Sequence, residues 1–208
     1  MDPVLTDIDL VSLEYVCLNM RPIDAVEIYG VRDHDSPIRL AWEAYHMIRN
    51  RGRGRIAWHN GRPAAVIALT EDRPGVWQIW MFGTGDFKAV AYACMRWARE
   101  TVADLIENHG GKRLHCESHE AHTEAHRFLR ALGAIAEGPP MRHFGKDGAS
   151  YQRFVWIAGE NDHRLRSDHH VRRQRGRLHG AAQAGGQDGD RQHVQERPHV
   201  PKLALVAK

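Results

Sequence analysis

Side chains and backbone that could do chemistry gather in two places. The first is Trp80-Met81-Phe82-Gly83-Thr84-Gly85-Asp86-Phe87, where a strand-forming run meets a helix-forming one. The first N–H groups of a helix have no intrahelical partner, and the macrodipole adds positive character there, so such a junction can hold an anion. Glycines let a ligand come close to the backbone. The amides of Gly83, Thr84, Gly85 and Phe87 are therefore the candidate cradle for a phosphorylated ligand. Asp86 works against this, because a capping carboxylate suits an empty helix end. A scaffold turn remains the alternative reading of Gly-x-Gly.

The second place is Arg113-Leu-His-Cys-Glu-Ser-His119 with the helix-like run after it. Glu117, flanked by His115 and His119, is the candidate general base; the alternative is a solvated carboxylate at a strand end. Cys116, His119, His122 and His126, with Glu117 and Glu120, offer zinc-type donor atoms. His122 and His126 share a helix face, but Cys116 sits in a strand-like run and no CxxC pair accompanies it. The expectation is exposed histidines and one buried thiol, with no metal site. Arg51, Arg53 and Arg55, interleaved with glycine, read as a flexible basic loop able to touch phosphates, or as a solvated connection.

Punctuation and periodicity define the scaffold around these groups. Leu13–Met20 is rich in strand formers. Pro22 opens a short helix that stops at Gly30, and Ser36-Pro37 opens a second with Ile38, Ala41, Trp42, Tyr45 and Ile48 at helical spacing. Asn60-Gly61 between Arg55–His59 and Arg62–Leu69 is a hairpin signal. Val76–Phe82 is a strand whose Trp77 and Trp80 face opposite sides. Phe87 to about Asn108 is a long helix with Val90, Cys94, Ala98, Val102 and Leu105 inward. Arg113–Glu117, a helix over Thr123–Leu132 closed by Gly133, Ala134–Ala136 and Ser150–Ile157 complete the series. The fold class is α+β, one mixed sheet flanked by helices.

The chain has 208 residues and a net charge of +3, with 29 Lys+Arg against 26 Asp+Glu. This balance excludes a strongly basic condensing protein. Three scattered cysteines, Cys17, Cys94 and Cys116, exclude a disulfide framework and point to a reducing compartment. No apolar run is long enough to span a membrane, and the acidic start differs from a secretory signal. Every aromatic residue lies at or before Trp156. The chain thus divides into a domain over 1–157 and a tail over 158–208, where ten basic residues meet six acidic ones. The tail has too little apolar surface to offset ordering entropy, so disorder is expected. Arg172, Arg173, Arg175 and Arg177 make a second basic cluster for salt-sensitive nucleic-acid contact; its composition also resembles translation of a frame not selected for folding.

The element order, with strand–Gly-x-Gly–helix at its centre, resembles the GNAT N-acetyltransferase fold over roughly residues 13–157. Met20-Arg21-Pro22, Val76-Trp77, His126–Ala134, Lys146-Asp147-Gly148 and Tyr151–Trp156 more narrowly resemble the internal virion protein A family of short-tailed bacteriophages. That resemblance implies a GNAT-like module among other phage virion proteins, made in the host cytoplasm and located in the particle, acting in virion assembly or genome ejection. The GNAT resemblance implies acetyl-CoA with its pyrophosphate on the Gly83–Phe87 turn, a Glu or a water as base, and a Tyr as general acid. Here Trp80 replaces the pattern's Gln/Arg, His122 its Asn, and Leu129 its Tyr. A leucine cannot protonate a leaving thiolate, so the resemblance carries a non-catalytic reading with no cofactor. The alternative is an active N-acetyltransferase using acetyl-CoA with Glu117 as base.

Overall fold

Asn60 and Gly61 both adopt positive φ, +48° and +75°, and so turn β2 (Gly52–His59) tightly into β3 (Arg62–Arg73). From this hairpin the sheet extends both ways in a computed structural model that describes residues 3–160. β4 (Val76–Gly83) follows β3 antiparallel. α4 (Phe87–Asn108) then crosses over to β5 (Arg113–His119), which runs parallel to β4. With β1 (Val4–Thr6), β6 (Ile135–Ala136) and β7 (Tyr151–Ile157), the order is β1-β2-β3-β4-β5-β7-β6. This is the expected α+β architecture. Expectations on the tail, including its disorder and Arg172, Arg173, Arg175 and Arg177, lie outside the described residues.

Each face of the sheet carries its own core. On one, Ile67, Leu69, Trp77, Ile79 and Leu114 meet Val90, Cys94, Ala98, Val102 and Leu105 of α4, joined by Leu129 of α5 (Thr123–Ala131). On the other, Ile56, Val66 and Phe82 meet Leu13, Val16 and Cys17 of α1 (Leu10–Leu18) and Leu40, Ala41 and Ala44 of α3 (Pro37–Arg51). Trp77 and Trp80 do fall on opposite faces. Among the described residues no helix is long and apolar enough to cross a membrane.

Three local expectations change. Leu13–Met20 is not a strand but lies largely within α1. Asp9 caps that helix, accepting from the Ser12 amide at 2.8 Å, and Leu13, Val16 and Cys17 recur at i, i+3, i+4 on its buried side. Packing overrides β propensity there. In α3 the buried stripe is Leu40, Ala41, Ala44 and Ile48, while Ile38 and Trp42 are exposed. The Arg51–Arg55 segment is not a loop: α3 runs to Arg51 and β2 starts at Gly52. Gly52 permits this direct junction, since a Cβ there would lie 2.8 Å from the Leu69 carbonyl oxygen. Arg53 is bound to Asp104 and Arg55 to Asp7.

The feature that positions the site is where pairing stops. β4 and β5 pair only at Val76–Arg113, Trp77–Leu114 and Gln78–His115. β4 stays bonded to β3 as far as Gly83, and β5 to β7 as far as His119. Beyond Gln78 and His115 the two strands separate, leaving a wedge through the sheet.

Candidate active site

The wedge is a cavity of about 230 Å³. Its walls come from both faces: Ile79, Met81, Cys116, Phe128, Leu129 and Leu132 from the α4–α5 side, and Glu27, Ile28, Met47 and Trp80 from the α2–α3 side. Here α2 is Pro22–Tyr29. Glu117, Ser118 and Tyr151 also line it.

The Gly83–Phe87 turn starts α4 at the C-terminal end of β4. Most of its amides are already bonded. Gly83 N–H donates to the Asp24 carboxylate at 2.9 Å, Thr84 N–H to the Ala64 carbonyl at 2.8 Å, and Phe87 N–H to the Thr84 carbonyl at 3.0 Å. The Asp86 amide donates to Thr84 Oγ1 at 3.2 Å. Among the described residues the Gly85 and Lys88 amides have no acceptor. Gly85 also has open space around it, with no atom within 4 Å of a Cβ built there, whereas a Cβ on Gly83 would lie 2.9 Å from the Ala64 oxygen. Of the four amides expected to cradle a phosphate, only that of Gly85 lacks an acceptor among the described residues. Asp86 makes no side-chain cap and instead pairs with Arg62 at 3.3 Å, so its charge opposes an anion less than expected.

Asp24, 2% exposed, anchors the turn. Arg21 grips it with two bonds, 2.9 and 2.7 Å, and lies 4.2 Å over the Phe87 ring. His122 Nε2 is 3.6 Å from Asp24, and its Nδ1 is 3.0 Å from Glu27 Oε2. The same Glu27 oxygen accepts from Ser118 Oγ at 2.6 Å and the His119 amide at 2.7 Å. Oε1 of Glu27 has no partner among the described residues. Sequence reasoning missed Glu27. The available signal was Asp24 and Glu27 at i, i+3, on one side of a helix whose sole fully buried residue is Asp24.

Glu117 does line the cavity, as a base must, but it is bound. Arg153 Nε donates to it at 2.8 Å and Gln78 Nε2 at 3.4 Å. Beside it, burial holds the His115 imidazole below its usual range, with Arg113 and Arg153 adding to the shift against the pull of Glu117. Cys116 is buried in the wall, and burial, with Glu27 and Glu117, pushes its thiol well above the ordinary range. Leu129 presents only methyl groups. The Tyr151 hydroxyl donates to the Glu27 carbonyl at 2.9 Å, and burial raises it to about 12. The histidines do not converge: His126 packs on Phe154 at 5.0 Å, while His122 turns to Asp24 and Glu27. Among the described residues no group of three or more His, Cys, Asp or Glu side chains is placed to hold a metal.

Several solved structures with this architecture are acetyltransferases. The GNAT-superfamily phosphinothricin acetyltransferase from Sinorhizobium meliloti, in complex with acetyl-CoA, matches with a TM-score of 0.60 at 16% identity over 77% of this chain and 91% of that one. The spermidine N-acetyltransferase from Vibrio cholerae, in complex with CoA and spermine, matches at 0.58 and 9% over 77% and 98%. A ribosomal-protein α-N-acetyltransferase in complex with coenzyme A matches at 0.58 and 11% over 76% and 94%. The fold is therefore the GNAT, acyl-CoA N-acyltransferase-like fold. No protein-family model and no curated protein matches the chain. The narrower resemblance to internal virion protein A gains no support from these comparisons.

Proposed function

We propose that this chain is an acyl-CoA-dependent N-acyltransferase, most simply an N-acetyltransferase. The observation that carries the reading is the cavity through the sheet. Its walls come from both faces of the sheet, with Ile79, Met81, Phe128 and Leu129 on the α4–α5 side and Glu27 on the other, so donor and acceptor can meet from two sides. Coenzyme A, when bound, supplies the acyl group as an activated thioester. The Gly85 and Lys88 amides and the dipole of α4 would hold its phosphates, and the unpaired edges of β4 and β5 offer backbone groups to its amide-bearing arm. Ile79, Met81, Phe128 and Leu129 keep water from the thioester. Glu117 receives the acceptor's proton, directly or through a water, while Arg153 and Gln78 fix its position. Leu129 in the wall would offer a departing sulfur no proton. The test is thiol release from acetyl-CoA by the purified full chain with a panel of primary amines. Release that depends on amine supports the reading, and its absence across the panel refutes it.

A second reading is favoured by Leu129 and by the amides of Gly83, Thr84 and Phe87 already being bonded. In it the fold is a non-catalytic scaffold among phage virion proteins, located in the particle, with nucleic-acid contacts through its arginines. Mass spectrometry of purified particles tests it: the chain's absence from virions removes this reading.

A further inference from the structure

The charges and rim of the cavity specify its acceptor. We infer that the acceptor is a small primary amine bearing one positive charge on an apolar body. This rests on the acyltransferase reading above and adds the substrate class.

The walls hold three carboxylate or guanidinium groups that could face an acceptor: Glu27, Glu117 and Arg32. Glu117 has its countercharge in Arg153 at 2.8 Å. Arg32 has Glu43 at 3.7 Å, and its guanidinium also donates to the Ile28 carbonyl at 2.7 Å. Glu27 is different. Ser118, the His119 backbone and the His122 ring are hydrogen-bond donors that orient its Oε2 rather than a fixed countercharge, and Oε1 stays open. One carboxylate without a fixed countercharge suits one ammonium. Arg32 is already engaged, so a carboxylate on the acceptor finds no cation waiting for it.

The mouth on this face is apolar. Val31, Met47 and Phe144 line the cavity and are 46%, 37% and 40% exposed. Large apolar side chains around a concave mouth mark a surface that is covered in use. A volume of about 230 Å³ far exceeds the roughly 10–15 Å³ that admits a single water and leaves room for a short acyl group and a small acceptor. The adjoining groove of Glu43, Arg51, Glu71 and Asp72 meets this cavity only at Met47 and Gln78. Arg39 and Arg32 already face Glu43, and Glu71 accepts from the Gly75 amide, so this groove is not the acceptor's anchor.

The experiment uses the full chain, acetyl-CoA at fixed concentration, and three acceptors of different charge: 2-phenylethylamine, phenylalanine and spermidine. The expected result is a kcat/KM for 2-phenylethylamine at least about tenfold above both others. Glu27→Gln is expected to raise its KM by about tenfold or more while leaving acetyl-CoA binding unchanged. Met47→Glu, on the half-exposed rim, is expected to move the preference toward spermidine. 2-Phenylethylamine is also titrated alone by calorimetry, which requires no turnover. Acetyl-CoA binding together with a preference for spermidine or phenylalanine overturns this inference and leaves the acyltransferase reading standing. No acetyl-CoA binding overturns that reading. In that case, failure of 2-phenylethylamine to bind overturns the inference as well, whereas binding weakened by Glu27→Gln upholds the amine site by itself.

Discussion

Alanine at Gly85 and alanine at Gly83 separate ligand contact from packing at the same turn. At Gly83 the added Cβ would sit 2.9 Å from both the Ala64 carbonyl oxygen and Phe87 Cδ2. The oxygen belongs to a strand backbone bonded on both sides and cannot give way cheaply. Overpacking of this kind costs about 1–3 kcal/mol, and the displaced amide also loosens its bond to buried Asp24. At Gly85 no atom beyond its own chain neighbours lies within 4 Å of the added Cβ, so stability should change by no more than about 0.5 kcal/mol. The Cβ instead occupies the space beside an amide that has no protein acceptor. Hydrogen bonds to a charged group contribute about 1.5–3 kcal/mol, so coenzyme A should bind about 10- to 100-fold more weakly to Gly85→Ala. Urea unfolding and calorimetric titration read the two effects separately. If Gly85→Ala binds coenzyme A like the parent, this amide is not the phosphate contact, and the assignment of the turn is wrong.

Other outcomes follow from the same geometry. Asp24→Ala removes a buried carboxylate that holds Arg21 and the Gly83 amide, and should destabilise by about 3–5 kcal/mol in urea unfolding. Leu129→Tyr places a hydroxyl on the cavity wall and should raise kcat in the thiol-release assay at neutral pH by up to about 100-fold, provided loss of the thiolate limits turnover. The pH dependence has a definite sign. Burial lowers the pKa values of His115 and His126, so the unfolded chain binds protons that the folded chain refuses. Their contribution is present above the unfolded value of about 6.5 and is lost as pH falls through it toward the folded values. Urea midpoints should drop over that window, and His126→Gln should flatten the drop.

Much of the scaffold was readable because single residues mark it. Pro22 and Gly30 bound α2, Ser36-Pro37 starts α3, Asn60-Gly61 turns the hairpin, and Val90 to Leu105 keep one stripe through α4. α1 was missed because a short apolar run of Leu, Val and Cys fits either period, and the decision lay with the Asp9 cap and packing against α3. The Gly83–Gly85 turn was legible as a strand-to-helix junction, but not that Asp24, 59 residues earlier, would take the Gly83 amide. Glu27 and Ser118, 91 residues apart, meet only after β5 is placed beside the wedge, so no local pattern announces them. Glu117 stood out as the candidate base by its residue type and place at a strand end, whereas its Arg153 partner depends on the β5–β7 register. The arginines at 51, 53 and 55 looked like one basic loop, because alternation with glycine hides a helix end that runs directly into a strand.

On the proposed function, the wedge between β4 and β5 takes an acyl thioester. Isothermal titration of the full chain with acetyl-CoA tests it most directly. Saturable binding at micromolar concentration is expected, with one site per chain and weakened by Gly85→Ala. Absence of heat up to millimolar acetyl-CoA, or binding indifferent to that substitution, would contradict it.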